Sequence, residues 1–184
     1  DVVYKGCIHL CADRRKITFR FGENRHFHVG VDRDFPENLG VLINSPGFIS
    51  LNTGLQNLRY LADIRGLIGE QQIRSAMQTV GLDPEDKTRV EHYSLGMKQK
   101  LGIAQAIMKG QDILILDEPF NALDYKTYND VKELIRLFHA EGKTILLTSH
   151  NYGDLKSLCD QIYVLEDGIL GELPIEEIKE RFRG

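Results

Sequence analysis

The sequence predicts an α/β fold, a parallel sheet flanked by helices and interrupted by a helical insert. Short apolar runs rich in Ile, Leu and Val occur at 113–116, 145–147 and 162–165, each bounded by polar or turn residues. Runs of that length fit buried parallel strands. Between the first two, Val131, Leu134, Ile135 and Phe138 recur at helical spacing within 125–140, and Gly142 closes the stretch. Strand, helix and strand in that order make a βαβ unit, whose crossover is nearly always right-handed.

The earlier elements follow the same logic. Val2, Val3 and Tyr4 read as a strand running into a turn at Gly6. Ile17, Phe19 and Phe21 alternate as a strand does, and Gly22-Glu23-Asn24 suits a turn. Arg14-Arg15-Lys16, His26 and His28 obey no clear period; the two histidines fit a solvated strand edge better than a metal site. Residues 39–43 supply another short strand. From 51 to 91 the texture changes. Leu55, Leu58, Leu61 and Ala62 mark one amphipathic helix; Ile73, Ala76, Met77 and Val80 mark a second, ended by Gly81. Asp83-Pro84-Glu85 reads as the start of a further turn or helix.

The 184 residues fit one domain with a substantial core. With 42% hydrophobic and 27% charged residues, disorder is not expected. A formal net charge of −4 without a long Lys/Arg run argues against nucleic acid as the main ligand. Cys7, Cys11 and Cys159 lack zinc-type pairing and are expected to be reduced thiols. No stretch approaches the ~20 apolar residues that span a bilayer, and the opening residues lack the basic start and apolar region of a signal peptide.

The most informative segment is Asp112-Ile113-Leu114-Ile115-Leu116-Asp117-Glu118-Pro119. Its two carboxylates stand at the C-terminal end of a buried strand, the end that borders the ligand crevice in open parallel sheets. There, Asp117 suits the shell of a metal-bound polyphosphate, and Glu118 suits the orientation or deprotonation of an attacking water. Ser149-His150 ends the next strand. Adjacent parallel strands bring their ends together, so His150 is expected near Glu118, where an imidazole can donate to a phosphate oxygen. Upstream, Tyr93-Ser94-Leu95-Gly96-Met97-Lys98-Gln99 precedes an apolar-periodic helix through Leu101, Ala104, Ile107 and Met108. Ser94 suits its N-cap, and Gly96 permits close backbone approach. Alone, that segment reads better as an ordinary capped helix.

Together these pieces resemble the ABC-type ATPase family, over about residues 34–171. Ser94-Leu95-Gly96-Met97-Lys98-Gln99 is similar to its signature motif, in place of the commoner Ser-Gly-Gly-Gln. Residues 112–118 resemble Walker B with the catalytic glutamate, Asn121-Ala122-Leu123-Asp124 the D-loop, and His150 the switch histidine. Asp34-Phe35-Pro36-Glu37-Asn38-Leu39-Gly40 and Pro46-Gly47-Phe48 are similar to bacterial drug or lantibiotic-resistance subunits.

The resemblance implies a P-loop NTPase-like, RecA-like sheet with three parts. These are a β-rich N-terminal part with the Q-loop region to about residue 50, a helical subdomain over about 51–92, and the signature helix with the RecA-like core over about 93–184. It also implies an ATP-binding, ATP-hydrolysing subunit at the cytoplasmic face of the membrane, peripheral to a transmembrane permease. ATP and Mg²⁺ are its implied cofactors, and a second ATP-binding domain faces it head to tail. Ser94, Leu95, Gly96 and Met97 are then nucleotide-binding, with Ser94 and Gly96 touching the γ-phosphate held by the opposite domain. Asp117 serves Mg²⁺, Glu118 the attacking water, His150 the γ-phosphate, and Asp124 crosses the dimer seam.

Two departures qualify this expectation. The Q-loop position, with its nucleotide and metal contact, falls on Asn44, one methylene shorter than the family's usual Gln. No Gly-x-x-x-x-Gly-Lys-Ser/Thr loop occurs in the sequence; Gly142-Lys143-Thr144 has Leu137 where the first glycine belongs and precedes a strand. The Walker A loop is therefore expected just upstream of Asp1, leaving the domain N-terminally incomplete. Weak ATP binding is expected of the chain alone. A soluble ABC-family ATPase and a degenerate, non-catalytic dimerisation subunit are the alternatives.

Overall fold

A computed structural model describes residues 2–4, 17–21, 25–29, 38–43, 47–64, 66–166, 169–174 and 176. Four strands come first: β1 (Val2–Tyr4), β2 (Ile17–Phe21), β3 (Arg25–Val29) and β4 (Leu39–Leu42). Helices α1 (Gly54–Asp63), α2 (Glu70–Thr79) and α3 (Leu95–Ile107) follow. Then come β5 (Ile113–Leu116), α4 (Tyr125–Ala140), β6 (Thr144–Leu147), α5 (Tyr152–Leu158), β7 (Ile162–Glu166) and β8 (Ile169–Glu172).

Strands β4, β5 and β6 form a parallel sheet in that order. In register, Leu42 pairs with Leu116 and Leu116 with Leu147, so the three C-terminal ends finish level. Strands β2 and β3 pair as an antiparallel hairpin; the alternation at 17–21 predicts the first of the two strands. His26 and His28 lie on β3.

One strand expectation is corrected. The apolar run at 162–165 is not part of the parallel sheet: β7 pairs antiparallel with β1 and with β8. An apolar run reports burial, not direction. Only the two residues Asp167-Gly168 separate β7 from β8 in the sequence, too few for a parallel crossover and of the type that favours a hairpin.

Helices α1, α3 and α4 start where the sequence offers a side-chain cap. Thr53 and Gln56 form a reciprocal capping box at α1. Ser94 Oγ accepts from Met97 N at 3.1 Å to open α3. At α4, Asp124 Oδ1 accepts from Lys126 N and Thr127 N, each at 3.0 Å. Asp83-Pro84-Glu85 forms a turn rather than a helix. The expected apolar faces are buried: Leu55, Leu58 and Ala62 on α1, Ile73, Ala76 and Met77 on α2, and Val131, Ile135 and Phe138 on α4. These belong to one core cluster that includes Leu101, Leu114 and Leu116, so α1 and α2 share a core with α3 and the sheet.

Two glycines set how closely α3 packs. A Cβ on Gly40 of β4 would stand 2.0 Å from the Ala106 carbonyl oxygen, and one on Gly96 would stand 2.7 Å from Thr127 Oγ1 and Cγ2. Helix α3 can therefore lie directly on β4 near its end and on α4 at its start only because both side chains are absent. Among the described residues no helix is long and apolar enough to cross a membrane.

Candidate functional site

The level strand ends build the site. Backbone bonding continues one step past the sheet: Asp117 N donates to Leu42 O at 2.8 Å and Thr148 N to Leu116 O at 3.0 Å. Asp117 and Thr148 are thereby set side by side. The Thr148 hydroxyl donates to Asp117 Oδ1 at 2.7 Å and accepts from Glu118 N at 2.8 Å. One side chain on β6's extension thus ties both acidic residues that follow β5.

Glu118 has a left-handed backbone, φ 48°, and Ala122 repeats this at 55°. Non-glycine residues in that region are uncommon and mark turns held by their surroundings. Thr148 holds one side of the Glu118 turn, and Asn121 N closes it by donating to Glu118 O at 3.1 Å. The reversal brings the carboxylate to the next strand end, where His150 Nε2 lies 2.9 Å from Glu118 Oε1. The Glu118 side chain is 23% exposed and that of His150 73%, so the pair opens to solvent on the imidazole side.

Behind the pair lies a cleft of about 470 Å³, lined by Glu118, Phe120, Tyr128, His150 and Asp154 among others. Asp154 is fully buried. Its Oδ1 accepts from Lys132 Nζ at 3.1 Å and from the Tyr128 hydroxyl. Burial, and then the Asp154 carboxylate, push the Tyr128 phenol up to about 12. Gln99 of α3, also buried, donates Nε2 to Pro119 O at 3.0 Å, joining the glycine-turn helix to the loop after the acidic strand.

The residues expected to act divide into two groups. Asp117, Glu118 and His150 are brought together at the ends of β5 and β6. Ser94, Leu95, Gly96 and Met97 form the first turn of α3; Ser94 and Leu95 are exposed, whereas Gly96 is buried against Thr127. Asp124 is engaged within its own chain: Oδ2 accepts from the Thr127 hydroxyl at 2.7 Å, besides the two amides on Oδ1. That hydroxyl, followed by the amides, holds the Asp124 carboxyl below its usual range. Asn44 lies outside the described residues.

Sequence reasoning missed Thr148 and Asp154, and it named Gln99 only within the signature-like stretch, without its contact to Pro119. Thr148 was within reach, since the pairing of Leu116 with Leu147 places Asp117 beside Thr148. No periodicity marks the other two.

A metal held wholly by protein is not what these residues offer. Among the described residues no three His, Cys, Asp or Glu side chains gather as a metal site. Mg²⁺ needs less, since it commonly takes one or two carboxylates, several waters and substrate phosphates. Asp117, with one oxygen held by Thr148, suits that role.

Comparison with known proteins agrees with the geometry. Residues 12–121, more than half the chain, match the family model described as ABC transporter. The bacitracin transport ATP-binding protein BcrA of Enterococcus faecalis is 40% identical over 147 residues, covering 79% of this chain and 48% of that protein. Its Bacillus licheniformis namesake is 36% identical, covering 89% and 53%. The lantibiotic transport ATP-binding protein SrtF of Streptococcus pyogenes is 35% identical, covering 71% and 56%. The chain thus spans about half the length of the curated relatives it matches. In fold it is similar to a solved ATP-binding cassette in a dimeric post-hydrolysis state bound to ADP and Pi. That match has a TM-score of 0.62 and 23% identity, covering 73% of this chain and 62% of the other. The chain belongs to the ABC transporter family.

Proposed function

We propose that the chain is part of an ATP-hydrolysing subunit that drives a membrane permease, with Glu118 and His150 acting on the terminal phosphate. The observation that carries this is the 2.9 Å pairing of His150 Nε2 with Glu118 Oε1 beside Asp117. Glu118 orients the attacking water and receives its proton. The imidazole of His150 donates an N–H to a γ-phosphate oxygen. Asp117 holds one position of the Mg²⁺ shell, and the ion when bound screens charge on the phosphates. At the first turn of α3, Ser94, which is exposed, offers its hydroxyl and the helix N-terminus to the γ-phosphate held by a second domain, with Leu95, Gly96 and Met97 completing the turn. Asp124 stands at the seam between the two domains, and Asn44 takes the Q-loop role.

The fit to nucleotide is one-sided. The sequence supplies the hydrolytic side but no Gly-x-x-x-x-Gly-Lys-Ser/Thr loop, whose backbone amides and lysine would cradle the β- and γ-phosphates. The 184-residue chain by itself therefore binds Mg-ATP weakly and turns it over negligibly. Calorimetry of these residues with Mg-ATP tests this, and micromolar binding would refute it.

The same one-sidedness favours a second activity, completion of an intact partner's site in trans through the α3 turn. Adding the chain to a P-loop-bearing partner domain should change that partner's turnover, and Ser94→Arg should abolish the change. If neither holds, the trans role is wrong.

Coupling to a permease is supported by the surface around α1. Ile43, Ile49, Leu51, Tyr60, Ile64 and Leu67 are large apolar side chains, each more than half exposed, clustered within 43–67. A contiguous face among them would suit a protein contact. We propose that residues 51–92 act as a helical subdomain passing motion to the permease, which keeps the subunit peripheral at the cytoplasmic membrane face. Ile64→Glu should leave the fold intact and reduce recovery of the subunit with membranes containing its permease.

A further inference from the structure

His150 is 73% exposed, and its ring is steadied by Glu118 alone among the bonds described for it. Its backbone is different. Asn151 N donates across it to Ser149 Oγ at 3.0 Å. Asp154 N donates to Asn151 O at 3.1 Å, and Gly153 N to Asn151 Oδ1 at 2.7 Å. Ser149 is 3% exposed, and its hydroxyl reaches Asp154 Oδ2 by a long contact of 3.5 Å. The two oxygens of Asp154 therefore divide their work: Oδ2 faces the loop that carries His150, and Oδ1 faces Lys132 and Tyr128 of α4.

The chain of contacts does not stop at α4. Tyr128 packs on Phe120, ring centroids 5.2 Å apart and tilted by 49°. Phe120 lies two residues beyond Glu118. The same buried carboxylate is thus braced against the loop leaving Glu118 on one side and the loop carrying His150 on the other. A buried charge is retained only when its partners satisfy it; here they are Ser149 on the loop of His150 and Lys132 and Tyr128 on α4, and Tyr128 passes the contact on to Phe120 after Glu118.

We propose that Asp154 is a positioning residue that holds the His150 ring on Glu118, acting through Ser149 on the loop and through Tyr128 and Lys132 on α4. This deepens the hydrolytic reading, on which its purpose rests, but it concerns a geometry that can be measured without nucleotide. A general acid–base pair misplaced by about 1 Å loses on the order of a hundredfold in rate, which is why such a brace matters.

The test is a spectroscopic double-mutant cycle on the 184-residue chain. His150 ring resonances are recorded by NMR in the parent, Glu118→Gln, Asp154→Asn and the double variant. In the parent background, Glu118→Gln should displace the His150 signals. In the Asp154→Asn background the ring is already displaced, and Glu118→Gln should add nothing. A packing role alone would leave the two effects additive, and equal displacement by Glu118→Gln in both backgrounds overturns the proposal. If Asp154→Asn does not fold, Ser149→Ala carries the same cycle, because it removes the hydroxyl between carboxylate and loop while the buried pair stays. Uncoupling of His150 from Glu118 in that background supports the brace, and retained coupling refutes it. Turnover in a complex with a P-loop-bearing partner is measured separately. Loss of coupling by NMR with no turnover in the parent sinks the hydrolytic reading and leaves the brace standing.

Discussion

Thr148 donates its hydroxyl hydrogen to Asp117 Oδ1 at 2.7 Å, and Thr148 Oγ1 itself accepts from the amide of Glu118. Thr148→Val keeps the shape and removes both bonds, leaving the Glu118 amide without this partner. The loss should be roughly 1–3 kcal/mol, read as a lower urea midpoint with unchanged slope. Thr148→Ser should lose much less. Equal losses in the two variants would show that the methyl group, not the hydroxyl, matters.

Gly96→Ala places a Cβ 2.7 Å from Thr127, an overpacking expected to cost about 1–3 kcal/mol. Thr127→Ala should recover part of that cost when combined with it. Were the two effects simply to add, the close contact between α3 and α4 could not be the cause.

The pair between Lys132 and Asp154 is nearly dry, with side-chain exposures of 15% and 1%. Lys132→Met leaves a buried carboxylate with only hydroxyl partners and should cost about 3–5 kcal/mol. Lys132→Met with Asp154→Leu should be the more stable of the two variants, because no buried charge remains. Thermal unfolding of both decides the order.

Two groups should give stability a pH dependence of opposite sense. The folded Asp124 carboxyl is held low by the Thr127 hydroxyl and the α4 amides. Its contribution is present above the unfolded value near about 3.9 and is lost as pH falls through the lower folded value. The advantage of the parent over Asp124→Asn should therefore vanish in acid. Tyr128 is pushed up to about 12, so its contribution is whole below about 10 and is lost as pH rises towards 12. Tyr128→Phe should remove that alkaline limb. Guanidine titrations at fixed pH values would expose a flat profile, which neither shift allows.

Legibility from the sequence followed the range of the interactions. The cap at Ser94 and the apolar faces of α1, α2 and α4 are local, and residue type or periodicity announced them, whereas the capping role of Asp124 did not show in the sequence. The meeting of Glu118 with His150 needed one inference more, that adjacent parallel strands end together. What escaped depends on contacts between residues far apart in the chain. The direction of β7 was not written in its apolar run but in its two-residue link to β8. Gln99, 20 positions from Pro119, looks in sequence like any polar residue of a capped helix. Asp154 sits on a seven-residue helix too short for a period to show, and only the fold reveals that an acid there is buried.

Helix α3 is pinned near both ends by absent atoms, Gly96 facing Thr127 at its start and Gly40 facing Ala106 near its end. The pins are ten residues apart, or about 15 Å at the rise of an α-helix. They fix the direction of the helix as two bearings fix an axle. A displacement of about 1 Å at either bearing tilts the axis by roughly 4° over that span. Gly40→Ala, on a strand remote from Ser94, should therefore misalign the turn that Ser94 begins, which makes the aim of that turn a property of the whole helix.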